Sequence, residues 1–253
     1  MDFATIFGLI MAVGAITGAY TIEGGTIDSI FLLAPIMIVL GGTFGATAIT
    51  TSLATVNKIP TYLKLAFFGK QKYDSNYTIT VLISLAEKAR REGVLGLEKH
   101  IEAIRDPFFK KAVMLVVDGT ELTSLREILE NEIAFLEERH KHGIMLFQKA
   151  GGFSPTMGIL GTVLGLIHTL GNTSDAAAMA TAIAGAFIAT LWGVGLANVF
   201  LLPVADKLRM RHEEELAHLE LITEGVLAIQ SGDNPHAIQT RLNSFVPPEL
   251  RNE

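Results

Sequence analysis

The sequence predicts an all-α integral membrane protein with four transmembrane helices in two hairpins. A helical cytoplasmic domain lies between helices two and three, and a cytoplasmic helix follows the fourth. Three observations predict this. The composition is 49% hydrophobic and 18% charged, with mean hydropathy +0.41, too apolar for an ordinary soluble domain. The stretches Phe3 to Ile22, Ser29 to Asn57, Ala150 to Ser174 and Ala176 to Ala205 hold no Asp, Glu, Lys or Arg. Finally, all 20 Lys and Arg lie between Lys58 and Lys149 or from Lys207 onward.

Each charge-free stretch is long enough to cross a hydrocarbon layer of about 30 Å, which takes roughly 20 helical residues. The first has no basic n-region and no A-x-A cleavage pattern, and a second apolar run follows at once, so it is read as a retained helix and not a cleaved leader. Glu23-Gly24-Gly25-Thr26 is a turn cluster that fits only a hairpin tip, and Asn172-Thr173-Ser174-Asp175 does the same for the second pair. With no Lys or Arg in either tip, the positive-inside rule places both tips outside and both termini in the cytoplasm. The expected divisions are 1–57 for the first two spans, 58–145 for the cytoplasmic domain, 146–206 for the last two spans, and 207–253 for the C-terminal helix and tail.

Within the charged region, apolar residues recur at three- and four-residue spacing over Ile79 to Glu92, Leu95 to Ile104, Pro107 to Val117 and Ser124 to His140. Gly93, Asp106-Pro107 and Asp118-Gly119 punctuate these helices. A long helix starting near Leu122 is expected to run into the third span. The fourth is expected to continue past Asp206 to about Ile229, giving a cytoplasmic stalk.

Several function classes are excluded or weakened. The formal net charge of -6 and the lack of a basic, aromatic-interleaved stretch argue against nucleic acid. With no cysteine, a disulfide framework and a thiolate site are ruled out. His100, His140 and His142 have no ligand-like spacing, no G-x-x-x-x-G-K-[ST] loop occurs, and the chain is read as neither an enzyme nor a metal or cofactor protein. Arg139-His140-Lys141-His142 reads as a juxtamembrane basic cluster. Most informative is the missing intramembrane carboxylate, because ion transport normally needs one. Any ion passing beside this chain must use a carboxylate from another.

Small residues dominate the last two spans. Gly158, Gly161 and Gly165 line segment three, and Gly185, Ala189, Gly193 and Ala197 recur every four residues in segment four, a period that lets helices approach closely. This packing serves the hairpin, subunit contacts, or both. Pro155 and Pro203 each remove a backbone donor near the cytoplasmic boundary, as a simple kink or as a joint between membrane and stalk. Thr162 and Thr190 are read from the residues alone as hydroxyls bonded to the preceding turn, and His168 as an interfacial residue.

Five groups of residues then carry a resemblance along the whole chain. They are Ala89-Arg90-Arg91-Glu92-Gly93 with Leu97-Glu98; Val116-Val117-Asp118-Gly119; Pro155-Thr156-Met157-Gly158 with Gly161-Thr162 and Gly165-Leu166; Ala189-Thr190-Leu191 through Pro203; and Glu224 to Gly232 with Asn234-Pro235. In this order the chain resembles the MotA/PomA flagellar stator subunits of the MotA/TolQ/ExbB superfamily.

The resemblance implies a homopentameric ring in the bacterial inner membrane, surrounding two copies of a single-span MotB/PomB-type partner that supplies the ion-binding aspartate. Ion flow would turn the ring and pass torque to the rotor protein FliG. By position, Thr162, Thr190 and Ala189 match the ion pathway facing the partner, Pro155 and Pro203 match prolines of conformational coupling, and Arg90 and Glu98 match charged residues presented to the rotor. Ala189 stands where sodium-driven members tend to have threonine. One oxygen ligand for a hard cation is thereby lost, which favours H+ over Na+. The alternative within the superfamily is an ExbB/TolQ-like energiser of envelope transport, from which the two spans ahead of the cytoplasmic domain distinguish this chain. A membrane scaffold without ion coupling is the alternative of another class.

Overall fold

A computed structural model describes residues 3–69, 73–171 and 176–251, and among these every regular element is helical. Helix α1 is Phe3–Ile22, and α2 is Leu33–Ile49 with a wide π turn at Met37–Gly41. Between them, Gly24 turns the chain with φ 88° and the Tyr20 hydroxyl bonds the Ser29 hydroxyl at 2.6 Å. The tip proposed at 172–175 lies outside the described residues. Next come α3 Ile59–Phe68, α4 Ser75–Glu92 and α5 Pro107–Val117. The long helices are α6, Leu122–Leu170 with 49 residues, and α7, Ala176–Gln230 with 55 residues and a π turn at Leu196–Leu201. A short α8, Pro235–Leu242, follows.

Three of these helices, α1, α6 and α7, are long and apolar enough to cross a membrane, and α2 is a shorter apolar helix. With 49 residues, α6 is more than twice as long as the roughly 20 residues that cross a hydrocarbon layer. The second apolar segment departs from the expected continuous helix. It breaks at Phe31 and Leu32 and ends at Ile49. Both long helices start and stop close to where periodicity places them, and α5 has the expected bounds. The expected helix at Leu95 to Ile104 is instead a 3-10 turn, Val94–Leu97, and one α turn, Glu98–Ile101, because Gly93 and Gly96 interrupt it.

Side-chain caps explain the starts. Asp74 accepts from the Tyr77 amide at 3.1 Å, and Asp106, followed by Pro107 at the first helical position, accepts from the Phe109 amide at 3.0 Å.

The chain divides into two units, residues 1–70 with 141–210, and residues 71–140 with 211–253. In the first, Ala66 of α3 is fully buried with Ile144, Phe147 and Ala150 of α6 and with Leu201, Ala205 and Leu208 of α7. Helix α3, which follows the charge-based boundary at residue 57, thus packs on α6 and α7 within this unit. Helix α1 has no buried residue, and apolar side chains such as Phe3, Phe7, Ile10 and Met11 are exposed. Outward apolar faces are what a hydrocarbon solvent requires. The second unit has an ordinary hydrophobic core in which Leu82, Leu97, Leu125, Leu129, Ile222 and Leu242 are each 0% exposed.

Candidate functional site

The site begins with glycine. Helices α6 and α7 touch backbone to backbone at Gly158 and Gly193: a Cβ on Gly193 would lie 2.8 Å from both the Gly158 Cα and the Ser154 carbonyl oxygen. Such contact is available only without side chains, and it brings polar groups across the crossing into range. Buried Ser154 donates from Oγ to the Gly193 carbonyl at 2.8 Å. One turn further out, Thr162 Oγ1 hydrogen-bonds Thr190 Oγ1 and also lies 3.0 Å from the carbonyls of Gly158 and Ala186.

A hydroxyl carries one proton, so Thr162 donates to one of these three oxygens at a time, and either threonine can be the donor between the two hydroxyls. The two half-buried hydroxyls form a short relay of uncharged oxygens. They can orient water or supply oxygen ligands, but neither can hold a net charge. The four apolar segments hold no Asp, Glu, Lys or Arg.

The structure therefore brings Thr162 and Thr190 together and relates Ala189 to them differently. Ala189 is 1% exposed, and its Cβ lies 2.7 Å from the place a Cβ on Gly161 would take. It sits at the helix crossing, sharing the contact stripe of α7 with Gly193. Pro203 is exposed and follows the π turn of Leu196–Leu201, a widening that accommodates a ring lacking an N–H. Pro155 lies within α6 beside buried Ser154, and its missing donor leaves the Gly151 carbonyl without its helical partner.

In the second unit, Arg90 and Glu98 are both exposed and flank the turn at Gly93, whose φ of 79° favours glycine. Neither forms an ion pair among the described residues, whereas neighbouring Arg91 pairs with Glu87 at 3.2 Å.

Three polar arrangements escaped sequence reasoning. Trp192, the single tryptophan, donates from Nε1 to the Ile30 carbonyl at 2.7 Å and packs edge-on against Phe31. It satisfies a backbone group that the break at Phe31 and Leu32 releases in an apolar setting. Asp106 does double duty, capping α5 with Oδ1 and pairing through Oδ2 with His218 Nε2 at 3.3 Å, which holds its carboxyl below its ordinary range. His140, read as part of a basic surface cluster, faces His212 with Nδ1 atoms 3.3 Å apart and lies 3.7 Å from Glu215. Burial, opposed by Glu215, holds the His140 imidazole below its usual value. Only Trp192 carried a prior signal, as a lone polar aromatic in an apolar run.

Residues 100–221 match the model of the MotA/TolQ/ExbB proton channel family, and residues 6–93 match that of the motility protein A N-terminal region. Motility protein A of Borreliella burgdorferi is 38% identical over 253 residues, covering 100% of this chain and 97% of that protein. Motility protein A of Bacillus subtilis is 32% identical over 251 residues, covering 99% and 93%. The solved structure of C. jejuni MotAB superposes with a TM-score of 0.91 at 31% identity, covering 100% of both chains. Identity at this level over the full length, together with a shared fold, shows that the chain belongs to the MotA/TolQ/ExbB proton channel family, in its motility protein A branch.

Proposed function

We propose that this chain is the stator subunit of a bacterial flagellar motor. With a single-span MotB-type partner it forms an ion channel that couples ion flow to rotation. The observation that carries the reading is the Thr162–Thr190 relay at a glycine-built helix crossing, in spans without any carboxylate. Such a site is half of an ion pathway, and the partner's membrane aspartate supplies the other half. The structure of C. jejuni MotAB, a complex with this fold, supports the same pairing.

In this reading α1, α2 and the apolar parts of α6 and α7 are four spans of the inner membrane, with both termini cytoplasmic. Five copies surround the partner, and their outward apolar faces contact lipid. Protons are the coupling ion in preference to sodium, because Ala189 offers no oxygen ligand. Each charge crossing 100 mV releases about 2.3 kcal/mol, so a few ions drive one step of the ring. Pro155 and Pro203 transmit the step from span to stalk, and Arg90 and Glu98 present it to charges on FliG.

The test is the swimming of cells that depend on this chain and its partner. Motility should survive removal of sodium and stop on addition of a protonophore. Sodium dependence would overturn the ion assignment. Failure to swim under every condition, with both proteins in the membrane, would overturn the stator reading.

A further inference from the structure

The second unit has two contrasting faces on opposite sides of α6. At 3.6 residues per turn, Ile128, Phe135 and Arg139 point in one direction and Arg126, Glu130 and Ile133 in another, roughly 170° away. On the first face Phe135 is 77% exposed, an unusual state for a phenylalanine outside a membrane span, and it stands beside Lys111 and Arg139. Lys111 is engaged by Glu132 at 2.6 Å, whereas Arg139 makes no ion pair among the described residues.

The opposite face is a groove between α6 and α7 of about 370 Å³, with Ile133 and Phe245 in its wall. One water takes about 30 Å³ of liquid, so an aromatic ring has room there. Four glutamates line this groove against one arginine, whereas the Phe135 face sets two cations against one glutamate. Glu130 is held by Arg126 at 3.3 Å and Glu224 by Arg241 at 2.9 Å. Glu220 is exposed and makes no ion pair among the described residues.

We infer that these faces are complementary halves of one contact between copies of this chain: Phe135 of one copy seats in the groove of the next, with Arg139 set against Glu220. Two different patches on opposite sides of a protomer make a heterologous contact, which closes into a ring when the rotation between copies divides a full turn. The partner is a second copy because one chain carries on opposite faces both an exposed aromatic flanked by positive charge and an acidic groove with apolar walls. Charge complementarity of this kind fixes register and disfavours Phe135 faces meeting each other. The inference rests on the multi-copy assembly proposed above and assigns its cytoplasmic contact.

The chain has no cysteine, so engineered cysteines are unambiguous reporters. Two differently tagged full-length chains, one Phe135→Cys and one Phe245→Cys, are co-expressed with the partner and treated in membranes with a short bismaleimide. A mixed dimer should form, and the double variant should give a ladder of products, while neither single variant alone gives any. Adding Arg139→Glu to the first chain should lower the yield at least tenfold, and Glu220→Arg in the second should restore it.

A Phe135–Phe135 product would overturn the assignment. So would the absence of mixed product while native size measurement shows the oligomer intact, and in that case the assembly itself would stand. If no oligomer forms at all, the multi-copy reading fails first and the contact fails with it.

Discussion

Replacing Gly193 by alanine tests the helix crossing directly. The added Cβ would lie 2.8 Å from the Gly158 Cα and 2.8 Å from the Ser154 carbonyl oxygen, where ordinary contact begins at 3.4 Å. Both obstacles are backbone, so neither can rotate away, and the helices must separate by about 0.6 Å at this point. Overpacking of this kind costs about 1–3 kcal/mol. The same displacement stretches the 2.8 Å bond from Ser154 to the Gly193 carbonyl toward 3.4 Å, a further loss of about 0.5–1.5 kcal/mol. Together these come to about 1.5–4.5 kcal/mol, set against a gain of up to about 1 kcal/mol from alanine's helix propensity. Gly195 supplies the control, since a Cβ there meets nothing within 4 Å and only the propensity gain applies. Thermal unfolding of the detergent-solubilised complex should show Gly193→Ala lower in Tm than wild type and Gly195→Ala equal or higher. If the two variants shift together, the crossing is not the close backbone contact described above.

Three further outcomes follow from the same geometry. Trp192→Phe keeps the ring beside Phe31 but leaves the Ile30 carbonyl without its donor, an expected loss of about 1–3 kcal/mol read as a lower Tm and as faster proteolysis near Phe31. Thr190→Val removes the hydroxyl bonded to Thr162 while preserving shape, so the complex should assemble normally and lose most of its swimming speed, whereas Thr190→Ser should retain it. Asp106 is held below its ordinary value of 3.8, chiefly by its hydrogen bond to His218, and a lowered carboxyl binds protons more weakly folded than unfolded. Its contribution is therefore complete above about pH 3.8 and lost as pH falls through the folded value, so an acid titration of unfolding should show a shallower decline for Asp106→Asn.

The sequence by itself determined the class, the long helices and the polar inventory. Charge-free runs and the confinement of every Lys and Arg to two stretches are global signals, and no tertiary contact is needed to read them. Helix α5 was legible to the residue because Asp106-Pro107 and Asp118-Gly119 are local stop and start signals that act within one turn. The glycine period of α6 and α7 likewise announced close packing.

Which side of each helix met which partner was decided only in three dimensions. Ala189 and Thr190 are adjacent in sequence, yet about 100° of helical rotation puts one inside the crossing and the other in a hydroxyl relay. Pro35 withholds an N–H from the Phe31 carbonyl and so marks the break at Phe31 and Leu32 locally, but the donor to the stranded Ile30 carbonyl, Trp192, is 162 residues away. His140 and His212 are separated by 72 residues, and His218 and Asp106 by 112; their pairing depends on how the helices of the second unit pack. Local chemistry writes the start, stop and polarity of a helix into its own residues, whereas rotation about the helix axis is set by the neighbour it packs against.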